Sequence, residues 1–417
     1  MKLTVVGGGS TYTPELIDGI ARLRLPVAEV VLLDPDAHRL ELVGGVSSRI
    51  VTAYGHPAKV RGTADLDDAL DGAGAVILQL RVGGQAARQR DETWPLEYGC
   101  IGQETTGAGG LAKALRTVPV VLRIAERARE CAPAAWIIDF TNPVGIVTRA
   151  LLDAGLRAIG LCNVAIGFQR KFAALLGVTP ERVALGHIGL NHLTWERSVQ
   201  VNGADLLPGL LDAHGEEIAA EIELPVELVR ELGVVPSSYL RYYYAHDEAV
   251  TRQRGARTRA QQVAELERRL LAMYADPALD HKPALLGERG GAYYSEAAVA
   301  LVASLAADTG DVQVVDVRNN GTLPFLPDDS VIEAPAHIGA KGAVPLCAPS
   351  VAPLFSGLIA HVSAYEELAL EAALRGGRER VFAALLAHPL IGQADIAGRV
   401  ADRMIAENSA YLAWAAG

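Results

Sequence analysis

Lys2-Leu3-Thr4-Val5-Val6-Gly7-Gly8-Gly9-Ser10 opens the chain and decides its fold class. A short, almost wholly apolar run predicts a strand buried on both faces, and the glycines that end it predict a tight turn. A helix is predicted over Pro14 to Leu23, because proline suits a first helical turn and Leu16, Ile20 and Leu23 share one face. A second apolar strand, Val30 to Leu33, ends in Asp34. This is the order of a dinucleotide-binding unit. Gly7 and Gly9 let the backbone approach a pyrophosphate, the turn through Ser10 leads to a helix N-terminus with free N–H donors, and Asp34 takes a ribose hydroxyl. Asp34 favours NAD over NADP, since a carboxylate repels a 2′-phosphate. Tyr12 stands where the third glycine of G-x-G-x-x-G belongs, so a plain strand-turn-helix without a ligand is the competing reading.

The alternation continues outward. Ala75 to Leu80, Trp136 to Phe140 and Ala158 to Cys162 predict central parallel strands, with Val118 to Ala128 and Val144 to Leu152 as crossover helices. Ligands in doubly wound sheets lie beyond the carboxyl ends of the strands, which puts Arg81, Asn142, Cys162 and Asn163 on one rim facing the glycine turn. Between the strands, residues 81 to 110 read as a long loop rich in glycine, threonine and charge, expected to be an active-site lid. Arg88 within it is a candidate anion clamp, or else a solvated charge or a partner for Asp91. After Cys162, Val183 to Val201 predicts strand containing His187 and His192, with a turn at Asn202-Gly203. Helices follow until an apolar strand at Val312 to Val317. The expected organisation is an α/β chain. Residues 1–165 form an NAD-binding, Rossmann-like domain with a doubly wound parallel sheet, and residues 166–417 form an α+β domain, with the cleft between them as binding site.

Composition bounds the partners. With 417 residues, 50% of them hydrophobic, the chain can bury a large core. Four scattered cysteines fit a reducing compartment, and the opening residues are too short for a signal-peptide core, so a cytoplasmic location is expected. A net charge of −11 argues against nucleic acid or an anionic membrane as partner. A small anionic substrate then needs a local basic pocket.

Two short stretches carry the chemistry. Cys162 is followed by Asn163, and His192 is preceded by Asn191; a thiol and an imidazole could converge on one soft to borderline divalent metal. Thirty positions apart, they are equally readable as a buried small hydrophobe and an ordinary histidine. Residues 236–244 hold four of the twelve tyrosines. A tyrosine serves as a base only where a neighbouring cation lowers its pKa from about 10, and a metal at Cys162 and His192 would do so. Arg257-Thr258-Arg259 opens a helix with guanidinium groups suited to phosphate.

The series Gly7-Gly8-Gly9-Ser10, Gly102-Gln103-Glu104-Thr105, Thr141-Asn142-Pro143, Cys162-Asn163-Val164, Gly189-Leu190-Asn191-His192, Tyr239-Leu240-Arg241-Tyr242-Tyr243 and Asn319-Asn320-Gly321 resembles glycoside hydrolase family 4 across nearly the whole chain. Enzymes of that family depart from the usual pair of catalytic carboxylates and follow an NAD-dependent route. The resemblance implies a lactate/malate dehydrogenase-like fold, NAD and Mn²⁺ as cofactors, a phosphorylated sugar as substrate and a homodimer or homotetramer. Asn after the metal-binding cysteine implies a 6-phospho-β-glucosidase; Ala165, where relatives carry proline, is a departure. By the same resemblance the sugar is oxidised at C3, deprotonated at C2, eliminated, hydrated and re-reduced. Tyr239 would be the base and Cys162 and His192 the metal ligands. Asn142, Asn163, Arg88, Arg259 and Glu104 would contact substrate. A relative acting on a 6-phospho-α-glucoside, α-galactoside or uronate, an NAD-dependent hydroxy acid dehydrogenase, and a catalytically silent NAD-binding sensor are the alternatives.

Overall fold

In a computed structural model describing residues 1–290 and 293–415, the opening run is strand β1 (Lys2–Val6). It is followed by β2 (Glu29–Leu33), β3 (Lys59–Thr63), β4 (Ala75–Leu78), β5 (Trp136–Asp139) and β6 (Ala158–Gly160). Parallel pairing orders them β3-β2-β1-β4-β5-β6, the order of the dinucleotide-binding fold. The sheet is covered on both faces. Leu3 and Val5 pack with Ile17 and Ile20 of helix Thr13–Arg22 on one side. Val6, Leu33 and Leu78 pack with Leu111, Leu115 and Val118 of helix Gly107–Cys131 on the other. Each such side chain contributes roughly 1.5–3 kcal/mol on burial, so two apolar layers fix the sheet and hold its carboxyl rim rigid.

The second half extends this sheet. Strands β7 (Val183–Leu190), β8 (Leu193–Val201), β9 (Ala204–Asp205), β10 (Val235–Pro236), β11 (Asp311–Arg318), β12 (Val331–Gly339) and β13 (Gly342–Pro345) complete a 13-stranded sheet among the described residues. β11 joins β6 antiparallel, and β12, β7, β8 and β10 follow outward. Register then does the positioning. One transverse row runs Leu33, Val6, Leu78, Asp139, Gly160, Asp316, Glu333, Gly189, Thr194. Gly7, Asp34, Gln79 and, two residues past Gly160, Cys162 therefore emerge at the same level, on the rim where the strand order reverses.

Two sequence expectations are corrected. Val183 to Val201 is a hairpin, closed by the Leu190–Leu193 pair with Asn191 and His192 as its two-residue turn. His192 takes the left-handed conformation, φ 63°. Asn-His contains no glycine, so the apolar alternation runs through the turn without a visible break. The predicted lid is also absent. Gly84–Thr93 is a helix, Trp94–Tyr98 a 3₁₀ turn, and the next helix already starts at Gly107. Its glycines serve packing: a Cβ on Gly109 would lie 2.2 Å from the Gln103 carbonyl oxygen, and one on Gly110 2.6 Å from the Thr105 carbonyl carbon. Residues 103–106 are thereby clamped as a fixed wall of the cleft. The turn expected at Asn202-Gly203 is present, both residues having positive φ.

Candidate active site

A cleft of about 1360 Å³ opens along the carboxyl rim, walled by both halves of the chain. At one end stands the glycine turn. The N–H groups of Gly7 and Gly8 both donate to the Leu33 carbonyl at 2.9 Å, and a Cβ on Gly7, whose φ is 82°, would lie 2.9 Å from the Gln79 carbonyl oxygen. Only glycine lets the backbone turn there. Gly9 lies behind the wall, its N–H donating to Asp34 Oδ2 at 3.1 Å, while Asp36 N–H donates to Oδ1 at 3.0 Å. Asp34 is thus fixed on the cleft margin. Ser10 also lines it and accepts from the Tyr12 N–H. The Tyr12 ring meets Tyr294 edge-on at 6.4 Å, with Arg289 over its face. An aromatic is accommodated because the helix begins only at Thr13.

At the centre, Asn142, Asn163, His192, Tyr239, Glu104 and Arg88 converge on the cleft. The His192 and Tyr239 rings stack, centroids 3.7 Å apart and 9° from parallel. His192 Nδ1 meets Thr105 Oγ1 at 3.1 Å, and burial lowers the imidazole to about 4, so it is neutral. Neutral imidazole is the form that binds a cation. Asn142 Oδ1 is buried with no hydrogen-bond partner among the described residues. Cys162 is 3% exposed and lies beneath the cleft surface. Burial, then the charges of Glu333 and Asp316, push its thiol well up. Tyr239 is raised too, first by burial and then by the charge of Cys162, with Arg88 opposing.

Glu104 is the electrostatic pivot. Arg81 bonds it directly, Lys113 Nζ donates to Oε2 at 2.7 Å, and Arg88 approaches Oε1 at 3.2 Å. Burial alone would raise its pKa, but these three cations hold the carboxylate well below the ordinary range. Burial, then Arg81, lowers Lys113 to about 7. Arg88 is also held by Glu92 at 2.7 Å; Asp91, its expected partner, instead pairs with Arg116 at 2.6 Å. Arg259 also lines the cleft, within reach of the charges of Arg88 and Glu92, with one nitrogen donating to the Glu288 carbonyl at 2.8 Å. It follows Thr258, whose hydroxyl caps helix Arg259–Tyr274 in a reciprocal box with Gln261.

Sequence reasoning missed Lys113, Arg289, Glu267 and Glu333. Lys113 sits in the small-residue run Gly109 to Leu115, where a lone lysine on a buried helix is a legible anomaly. The others are brought in by tertiary packing: Arg289 reaches Thr11 Oγ1 at 2.9 Å and Glu267 at 3.1 Å across the top of the glycine turn.

A glycine turn and acid at the switch point of a doubly wound sheet, extended by antiparallel strands that close a polar cleft, define a Rossmann-type α/β enzyme. A lactate dehydrogenase from Cryptosporidium parvum shares this fold, with TM-score 0.57 at 16% identity over 90% of this chain and 98% of that one. Family models described as family 4 glycosyl hydrolase and family 4 glycosyl hydrolase C-terminal domain match residues 2–178 and 187–391. The chain is 38% identical to a probable 6-phospho-β-glucosidase of Bacillus subtilis, over 99% of this chain and 97% of that protein. It is 33% identical to the 6-phospho-β-glucosidase of Thermotoga maritima solved with manganese, NAD⁺ and glucose 6-phosphate, with TM-score 0.93 and 99% of each chain covered. The chain belongs to glycosyl hydrolase family 4.

Proposed function

We propose that the protein hydrolyses 6-phospho-β-glucosides with NAD and Mn²⁺ as cofactors. The observation that carries this reading is the convergence, in one cleft, of the glycine turn with Asp34, the stacked His192–Tyr239 pair and the Asn142–Asn163 rim. The names and ligands of the relatives support the substrate class, and Asn163 supports the β-linkage.

The chain's own residues fit both groups. Gly7 and Ser10 line the cleft and Asp34 presents a carboxylate at its margin, so NAD would lie along Gly7, Ser10 and Asp34, with Gly9 behind them fixing the Asp34 carboxylate through its N–H. Among the described residues no three His, Cys, Asp or Glu side chains gather as an ion cage. Cys162 and His192 would therefore be a partial ligand set, of the kind catalytic metals use when substrate oxygens complete the shell. When bound, NAD supplies reversible oxidation at C3 of the sugar and Mn²⁺ the positive charge that acidifies C2.

Tyr239 would accept the C2 proton on its phenolic oxygen. In the protein alone that phenol is held neutral by burial, and positive charge beside the stacked His192 is what would make it a base. Asn142, with its unpartnered Oδ1, and Asn163 would orient sugar hydroxyls. Arg259 would meet the 6-phosphate. Glu104, carrying three cations, would set the charge of the central wall, and Arg88 would contact substrate from it. Assembly as a homodimer or homotetramer is part of the proposal. Assay of purified protein on aryl 6-phospho-β- and 6-phospho-α-glucosides, each with and without NAD and Mn²⁺, tests it: β-selective release that needs both cofactors is expected, and α-selective or cofactor-independent release contradicts it.

A further inference from the structure

Behind His192 lies a chain of buried polar groups with no counterpart among the roles above. Asn191 Nδ2 donates to Glu333 Oε2 at 2.9 Å, His187 Nε2 meets Glu333 Oε1 at 2.9 Å, and His187 Nδ1 meets Glu196 Oε1 at 2.6 Å. The His187, Glu196 and Glu333 side chains are at most 1% exposed. Both imidazole nitrogens face carboxylates, so both donate, which requires the imidazolium. Burial alone would depress His187, but Glu196 and Glu333 outweigh it and lift the group to about 10.

Sheet register explains why the chain meets here. Glu333 on β12 pairs with Gly189 on β7, and His187 pairs with Glu196 on β8 just beyond a bulge at Leu185. Three strands thus deliver one linear hydrogen-bonded series that ends on Asn191, the first residue of the two-residue turn. The second residue, His192, sits in the left-handed region, which a non-glycine residue occupies only when its surroundings hold it there, at a cost of about 1–3 kcal/mol. On the cleft side the same ring is held by Thr105 at Nδ1 and stacked on Tyr239, leaving Nε2 without a partner among the described residues. A buried ion pair of this kind is weak evidence for stability and is best attested as a device for fixing geometry.

We propose that the Glu196–His187–Glu333–Asn191 series is a positioning device for His192, fixing the turn that aims its imidazole and so setting how tightly a divalent cation is held there. This rests on the metal reading of His192 given above and adds the residues that make it a good ligand. Outer partners of this kind typically change metal affinity by about 10- to 100-fold. The test titrates Mn²⁺ into full-length protein by electron paramagnetic resonance, with NAD affinity and melting temperature measured alongside. Asn191→Ala and Glu333→Gln should weaken Mn²⁺ binding by about 10- to 100-fold while NAD affinity is unchanged, and excess Mn²⁺ should restore turnover. Parental Mn²⁺ affinity in folded Asn191→Ala overturns the positioning role; that residue is only half-buried, so this variant decides the matter if Glu333→Gln fails to fold. Wild-type protein that binds NAD but no Mn²⁺ overturns the metal reading itself, and the positioning role with it.

Discussion

Tyr239 and Cys162, the proposed base and metal ligand, face the same protonation problem. Both are buried, and burial raises both, so neither is an anion in the protein alone. A cation between them and His192 would resolve both at once, because a bound thiolate and a lowered phenol each need positive charge nearby. Tyr239→Phe should slow exchange of the sugar C2 proton by about 10²- to 10⁴-fold while leaving NAD affinity intact. Proton exchange followed by NMR checks this, and a parental rate in the variant would give the base role to another group. Cys162→Ser should weaken Mn²⁺ binding at least ~10-fold, since even outer partners of a metal cost that much. An unchanged Mn²⁺ titration would remove Cys162 from the site.

At the scale of elements, the strand pattern was readable and the turns were only partly so. β1, β2, β4 and β5 follow from apolar runs bounded by glycine, proline or acid, because strands buried on both faces need such runs. The hairpin turn at Asn191-His192 was not readable, since its geometry is held by Glu333 on a strand some 140 positions later. The same three-strand junction makes a pH prediction. The folded pKa of His187 is raised to about 10, so its stabilising effect is complete below the ordinary value of about 6.5 and is lost as pH rises through 10. His187→Gln should therefore cost on the order of 3–5 kcal/mol at and below neutral pH, and progressively less toward alkaline pH. Melting curves across that range check it, and a cost that grows with pH contradicts the ion-pair assignment. The wall of the cleft makes another prediction. Gly109→Ala puts a methyl 2.2 Å from the Gln103 carbonyl and must displace the 103–106 segment that carries Glu104. A loss of roughly 1–3 kcal/mol is expected from overpacking, with a larger proportional loss of activity. Unchanged stability and turnover would mean the wall yields freely.

For the whole molecule, the fold class and the rim were legible because strand order and the carboxyl-end rule need only local patterns. What composition and spacing do not disclose is that the second half adds its strands to the same sheet, β11 against β6. That continuity is why Glu333 and Asp316 on late strands act on Cys162 at the end of an early one. It is also why Lys113 and Arg289, neither in a recognisable motif, reach the cleft from both halves. No helix among the described residues is long and apolar enough to cross a membrane.

The central claim is that glycosidic cleavage proceeds through proton removal at C2, with Tyr239 as base and both cofactors required. Its most direct test is hydrolysis of an aryl 6-phospho-β-glucoside in heavy water by protein stripped of nucleotide and metal, then resupplied with NAD and Mn²⁺. Deuterium at C2 of the released glucose 6-phosphate, with no turnover when either NAD or Mn²⁺ is withheld, is the predicted result. Turnover by the stripped protein, yielding product without deuterium at C2, would contradict it.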